Sequence, residues 1–346
     1  MSLSIRQADI QKDRRVLIEF LYKNLTEQSD DCRLNWLYES NPYGKARVWI
    51  MFDEKKDAII GCATAFPRLM NVSGKDLICW NLGDFAINEN FRILGPALLL
   101  QRACLKPVFE GKIPFCYDHP SNKMMAIYRR MGILASGEVI RFAKPLRSDR
   151  KVEAFSGKGM LSRGLSAMIN NLMAVIDHRR YAYKNYEISS YEGMFDDEFS
   201  ELDQKVSINY KVCGRRTAAY LNWRYKENPL NRYKVLTVRQ DGQLLAYIIF
   251  YTHGRDSCIA DLFGEEKEEA IKALLATVIA VLRQQQIVTL SMPVLDTSPL
   301  IPFLRWAGFC SRECTPIVIC TQPHGYLDGL VNDGKNWFLT HGDRDI

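Results

Sequence analysis

Residues 34–42 read LNWLYESNP, and residues 221–229 read LNWRYKENP. Leu, Asn, Trp, Tyr, Asn and Pro coincide, and Trp36 and Trp223 are two of only six tryptophans in the chain. Nine positions can match by accident, so the order of the segments downstream of each copy decides. After the first come the apolar run RVWIMF at 47–52, a polar turn at 53–57 and AIIGCATAF at 58–66. After the second come YKVLTV at 233–238, the turn Gln240-Asp241-Gly242 and LLAYIIFY at 244–251. Both read as β-hairpins with short polar turns. Gly83-Asp84-Phe85 and Ala260-Asp261-Leu262 come next, each followed by a helical stretch, at 95–110 and 266–285. Each half then gives a short strand (113–117, 287–292), another short helix and a glycine–hydrophobic pair, Gly132-Ile133 and Gly308-Phe309. Five landmarks in one order mean a duplicated unit. Residues 3–8 and 186–191 match as the opening strand of each copy. The expected division is 1–147, a linker 148–184, and 185–346.

Composition agrees with two globular units. A chain of 346 residues is long for one domain, and 47% hydrophobic with 25% charged residues is ordinary for a soluble protein. No apolar run reaches the roughly 18 residues that span a bilayer, and MSLSIRQADIQKDRR lacks the apolar core of a signal peptide. The ten cysteines are scattered, with the closest pair, Cys310 and Cys314, spaced CxxxC. They read as reduced thiols in a cytoplasmic protein. Five dispersed histidines with no HExxH argue against a metal.

The net charge of +6 is concentrated: residues 141–180 hold nine Lys/Arg against three acids, so the remainder sums to zero. A solvated linker face is the expectation, with an anionic partner, either a membrane surface or a coenzyme phosphate, as the alternative. Nucleic acid is not expected, because no aromatic-rich basic strand accompanies the charge. Within the linker, Leu161, Leu165, Met168, Ile169, Leu172, Met173 and Ile176 recur at helical spacing. That pattern predicts a connecting helix packed into the core. Its basic flanks also permit weak membrane-surface contact, although the helix has no Trp or Phe anchor.

The chemistry-bearing pattern is in the first copy. A strand ending in Asp84-Phe85-Ala86-Ile87 runs into Arg92-Ile93-Leu94-Gly95-Pro96-Ala97, and a later helix carries Asn122, Ala126 and Tyr128 before Gly132-Ile133. Together these resemble the GNAT acyltransferase superfamily, whose fourth strand joins the next helix through Arg/Gln-x-x-Gly-x-Gly/Ala. The resemblance implies an α/β (α+β) fold of two tandem GNAT-like domains, each a mixed, mostly antiparallel sheet flanked by helices. It also implies that Ile87, Arg92, Ile93, Leu94, Gly95, Ala97 and Asn122 bind acetyl-CoA or another acyl-CoA. Amides at the loop and helix start would face the pyrophosphate, aided by the helix dipole. Pro96 departs from an ideal loop, since it has no N–H to donate. By the same resemblance Tyr128 would protonate the departing thiolate and Asp84 would serve as base or acceptor anchor. Asp261, in the matching position of the other copy, hints instead at a structural acid. His119, beside Pro120, reads as a turn residue.

The second copy lacks the loop. Glu265, Glu266, Glu268 and Glu269 stand at the helix start, where they suit the dipole and would repel a pyrophosphate. The implied activity is transfer of an acyl group, acetyl first, from coenzyme A to an amine or hydroxyl of a small-molecule, glycan or peptide acceptor, without a metal. Two other readings stand beside it: a Fem-type transferase drawing on aminoacyl-tRNA, and a non-catalytic scaffold. Neither the acceptor nor the oligomeric state is legible in the sequence. The LNWxYxxNP repeat is expected to pack a helix end and turn in each copy.

Overall fold

Apolar residues at i, i+3 and i+4 build the helices, and near-continuous apolar runs build the central strands. The computed structural model describes residues 3–55, 58–92, 94–157, 159–180, 186–265 and 267–344, with only the backbone at Leu94, Ser156 and 178–180. The first half runs β1 (Leu3–Gln7), α1 (Arg14–Asn24), α2 (Asp31–Leu34), β2 (Arg47–Asp53), β3 (Ala58–Val72), β4 (Lys75–Ile87), α3 (Leu94–Phe109), β5 (Phe115–Asp118), α4 (Asn122–Arg130) and β6 (Gly137–Pro145). Then come α5 (Asp149–Ser156) and α6 (Met160–Arg180). The second half runs β7 (Glu187–Ser190), α7 (Asp197–Ser207), β8 (Val212–Gly214), α8 (Ala218–Leu221), β9 (Tyr233–Gln240), β10 (Gln243–His253), β11 (Asp256–Gly264), α9 (Glu268–Gln284), β12 (Thr289–Leu295), α10 (Ile301–Trp306), β13 (Cys310–Thr321) and β14 (Trp337–Phe338). The two expected hairpins are present as β2–β3 and β9–β10. β3 runs six residues past the expected end at 66. Pro67 interrupts the apolar run in the sequence, yet here it sits in register with Trp80.

All twelve principal strands lie in one sheet, in the order β1-β2-β3-β4-β5-β13-β6-β12-β11-β10-β9-β7. Outward from the central β13–β6 pair, the two sides mirror each other. Helix packing repeats as well: α1 lies against β3 and β4 as α7 lies against β10 and β11, and α3 covers β2 and β3 as α9 covers β9 and β10. The last strand of each copy is exchanged. β6, from the first copy, pairs with β12, while β13, from the second, pairs with β5. A core cluster accordingly runs through both copies, from Leu17 and Trp36 to Tyr247 and Leu274.

The repeated nonapeptide sits at the centre of this pseudo-symmetry. Asn35–Glu39 and Asn222–Lys226 each form a short π-helical turn. Trp36 and Trp223 stack on each other with ring centroids 5.3 Å apart. The indole N–H of Trp36 donates to the carbonyl of Trp223 at 2.7 Å, and that of Trp223 donates to the carbonyl of Trp36 at 2.8 Å. This is an isologous contact, residue i on j and j on i, of the kind a two-fold axis generates. The repeat therefore joins the copies to each other; it does more than pack a helix end within each.

The linker helix departs from expectation. α6 buries Ser162, Ser166 and Asp177 and exposes most of its apolar residues. Asp177 is buried against Lys144 and Arg283, Asn170 bonds Ser148 and Asp149, and Ser162 and Ser166 are buried. Leu161, Leu165, Met168, Leu172 and Ile176 are exposed, while Ile169 and Met173 are half-buried. Buried ion pairs fix the helix by its polar side, which the apolar periodicity alone does not reveal.

Candidate functional site

Strand pairing opens a cleft in the first half. β4 and β5 run parallel and pair only at Trp80–Cys116 and Asn81–Tyr117. Beyond that point β4 continues to Ile87, leaving the backbone edge of 82–87 without a partner strand on the β5 side among the described residues. A bulge sharpens the divergence: Cys62 pairs with Ala86 and Thr64 with Gly83, so Asp84 and Phe85 both face Ala63. Asp84 takes a φ of 45°, in the left-handed region that non-glycine residues rarely adopt. A cavity of about 870 Å³ fills the opening, walled by β4 from Leu82 to Ile87, by Ala97, Gln101 and Cys104 of α3, and by residues 118–121.

The start of α3 borders this cavity. Arg92 lines it and donates its Nε to the carbonyl of Ile87 at 3.0 Å, tying the loop back to the strand end. Ile87 and Ala97 are buried cavity-wall residues. Gly95 is exposed, and a Cβ placed on it would meet no atom within 4 Å. The amide of Gly95 belongs to the first turn of α3, among the donors that a helix leaves without an internal partner. Ile93 lies outside the described residues, and of Leu94 only the backbone is described. Asn122 begins α4 and is exposed, outside the cavity wall; the capping residue is Ser121, whose hydroxyl accepts from the amide of Met124 at 3.3 Å. The structure thus gathers Ile87, Arg92 and Ala97 at the cavity and sets Asn122 at its edge.

Asp84 lines the cavity with both carboxylate oxygens engaged. Arg33 of α2 donates to each at 2.7 Å, and Tyr38 donates to Oδ2 at 2.5 Å. Burial disfavours the guanidinium charge, but Asp84 outweighs it and holds the pKa of Arg33 above its ordinary value. Tyr128 is fully buried behind the wall. Its hydroxyl accepts from Gln101 Nε2 at 2.9 Å and donates to Asp118 Oδ2 at 2.6 Å. Burial, reinforced by Asp118, raises the Tyr128 pKa well above that of free tyrosine. Gln101 and Asp118 themselves reach the cavity.

His119 is legible in the sequence only as a turn residue, yet it lines the cavity, and neither ring nitrogen has a hydrogen-bond partner among the described residues. Burial, then the charge of Arg344 and the neighbouring His341, hold its pKa well below the usual histidine value. That setting favours the neutral imidazole. The Cys-Tyr-Asp-His-Pro run at a strand end is the available signal, but sequence cannot show that the ring lacks a partner.

The equivalent opening in the second half is filled. β11 and β12 pair only from Asp256–Thr289 to Cys258–Ser291, and the segment Thr340–Arg344 enters between the strands beyond. Thr340 bridges to Val294 and donates its hydroxyl to Asp261 at 3.0 Å. Asp343 accepts from Arg216 at 2.7 Å and from Arg68 at 2.8 Å. Its carbonyl accepts from Tyr117 of the first half at 2.7 Å. Gly342 is required by proximity, since a Cβ there would lie 1.9 Å from the Tyr225 hydroxyl. Asp261 pairs with Arg216 as Asp84 pairs with Arg33, with the arginine drawn from a different element. The acidic run beside it includes Glu266, which lies outside the described residues.

No family model matches the sequence, and no curated protein matches it. Solved structures do resemble it in fold. A GCN5-related N-acetyltransferase from Anabaena variabilis ATCC 29413 matches with a TM-score of 0.66 at 15% identity, over 92% of this chain and 72% of that one. A probable N-acyltransferase from Enterococcus faecalis V583 matches with a TM-score of 0.66 at 10% identity, over the same shares. The N-myristoyltransferase of Saccharomyces cerevisiae, solved with bound myristoyl-CoA, matches with a TM-score of 0.60 at 11% identity, over 93% of this chain and 84% of that one. This chain therefore has the GNAT fold, laid out as two tandem copies that share one sheet.

Proposed function

We propose that the chain transfers an acyl group from a coenzyme A thioester to an amine or hydroxyl, using the cleft of the first copy alone. The observation that carries this reading is the unpartnered edge of β4 from 82 to 87, running to the first turn of α3. Pantetheine is extended and carries two amides, so it suits a strand edge with free N–H and C=O groups. Phosphates suit the amide of Gly95 and the positive end of α3. Arg92 stands beside both.

Within that cleft the roles differ from those the motif implied. Asp84 has both oxygens committed to Arg33 and Tyr38, and we assign it to fixing the bulge that parts β4 from β5. Tyr128 has no face on the cavity, so it positions Asp118 through a donated hydrogen bond. Asp118 and the neutral His119 are the polar groups placed to take the proton of an acceptor as its nitrogen or oxygen bonds the acyl carbon and the carbon–sulfur bond breaks. The segment 340–344 supports a single functional cleft per chain.

Calorimetry with acetyl-CoA and with longer acyl-CoAs tests this. One equivalent should bind per chain, and ligand at a hundred times its dissociation constant should add about 2.7 kcal/mol of stability. Gly95→Val should abolish binding with an unchanged melting midpoint, because the position is exposed and a Cβ there meets no atom within 4 Å. Two equivalents, or none at millimolar ligand, would overturn the reading; none at all would favour a non-catalytic scaffold.

A further inference from the structure

We propose that the outward face of α6, with Phe155 at the end of α5, docks the chain onto an anionic lipid bilayer. This inference does not rest on the assignment of acyl transfer. Along α6, Leu161, Leu165, Met168, Leu172 and Val175 recur at four-three-four-three spacing, and all five are exposed. At 100° per residue they form a single stripe about 80° wide. The inward face is the polar one, held by Ser162, Ser166, Asn170 and Asp177. Inside-out amphipathicity of this kind is unusual for a helix of a globular protein, and a large contiguous apolar patch marks an interaction surface. At one end of the stripe Phe155, Met160 and Leu161 are 95%, 89% and 90% exposed. Phe155 supplies the aromatic anchor that the helix sequence lacks. A groove of about 380 Å³ between α5 and α6 opens beside them, walled by Val152, Phe155, Leu165, Ile169 and Met173 and also lined by Lys151.

Charge selects the occupant. Lys151 and Arg163 are exposed and make no ion pair with a described residue. By sequence Lys158, Arg179 and Arg180 add positive charge within 141–180, whereas Arg141, Lys144, Arg147 and Arg150 are paired with Glu313, Asp177, Asp149 and Asp256. Apolar stripe and cationic surroundings together match an interfacial helix on anionic lipid, where each basic residue near the surface strengthens binding about fivefold. A second copy fits less well. The stripe covers about two heptads, short of the three to four that sustain a coiled coil, and two copies would bring like charge to like charge. No helix among the described residues is long and apolar enough to cross a membrane, so the helix would lie on the surface, spanning about 31 Å.

The full chain is sedimented with vesicles of phosphatidylcholine, and with vesicles of equal parts phosphatidylcholine and phosphatidylglycerol. Binding should require phosphatidylglycerol and should weaken as salt rises. The triple variant Leu165→Glu, Met168→Glu, Leu172→Glu should lose more than about tenfold in vesicle affinity, and Lys151→Glu with Arg163→Glu should lose a similar factor. Both changes lie on exposed positions, so the melting midpoint should match that of the parent chain and serve as the folding control. Three results would each overturn the proposal: no binding to phosphatidylglycerol vesicles, binding that survives the triple variant, or a dimer in sedimentation equilibrium that the triple variant dissociates.

Discussion

Trp36 and Trp223 show how far a residue-level signal carries. Their shared setting is visible in the sequence, and it correctly identifies the duplication. That they touch is not visible, because a repeat gives equivalence between positions and says nothing of the symmetry axis relating them. Trp36→Phe removes the indole N–H, leaves the buried Trp223 carbonyl without that donor and opens a gap beside the stack. The expected loss is about 2–3 kcal/mol in denaturant unfolding. Adding Trp223→Phe should cost less than a second full increment, since residues in contact are not additive. Asp84 makes a parallel case. Strand-end carboxylates invite a catalytic reading, and only the partner Arg33, fifty-one positions away in sequence, shows that both oxygens are used. Asp84→Ala should strand a buried guanidinium and cost about 3–5 kcal/mol. A free base would instead lose turnover with little change in the melting midpoint.

At the scale of elements, strands and helices are legible almost throughout, because apolar runs and helical periodicity follow directly from burial. Their environment is less so. The apolar residues of α6 predict a helix correctly and its buried side wrongly, since the ion pair of Asp177 with Lys144 and Arg283 decides which face turns in. The segment 340–344 escapes a sequence reading for a similar reason: it has little periodicity and is held by polar contacts from Arg68, Arg216 and Tyr117. Its chemistry makes stability depend on pH. Burial, with the charges of Arg344 and Arg224, lowers the His341 pKa to about 3. Unfolded histidine titrates near 6.5, so between about pH 6.5 and 3 the unfolded chain binds a proton that the folded chain refuses. Stability therefore rises with pH across that window, by about 1.4 kcal/mol per pH unit for this one group, and is lost on acidification. His341→Asn should flatten the pH dependence of the melting midpoint below pH 6.5 relative to the parent chain.

For the whole molecule the decisive feature is the strand exchange. The sequence orders both copies identically, but β6 completing its own copy and β6 crossing to the other satisfy the same pattern of apolar residues. Pairing across copies is a choice made by the sheet as a whole. Its consequence is that neither copy closes alone. Without the second copy, β5 loses β13 on its open side, and β6 loses both β12 and β13. Trp36 loses its stacking partner, and the core cluster that spans both copies is cut. Residues 1–147 expressed alone should therefore be unfolded or aggregated, with an unpaired β5 edge and exposed apolar surface. The full chain should melt in one transition, with far- and near-ultraviolet circular dichroism coinciding and calorimetric enthalpy equal to the van't Hoff value. Two separated transitions, or a stable and cooperatively folded 1–147 fragment, would mean that the exchanged strands contribute little and that the copies are independent domains.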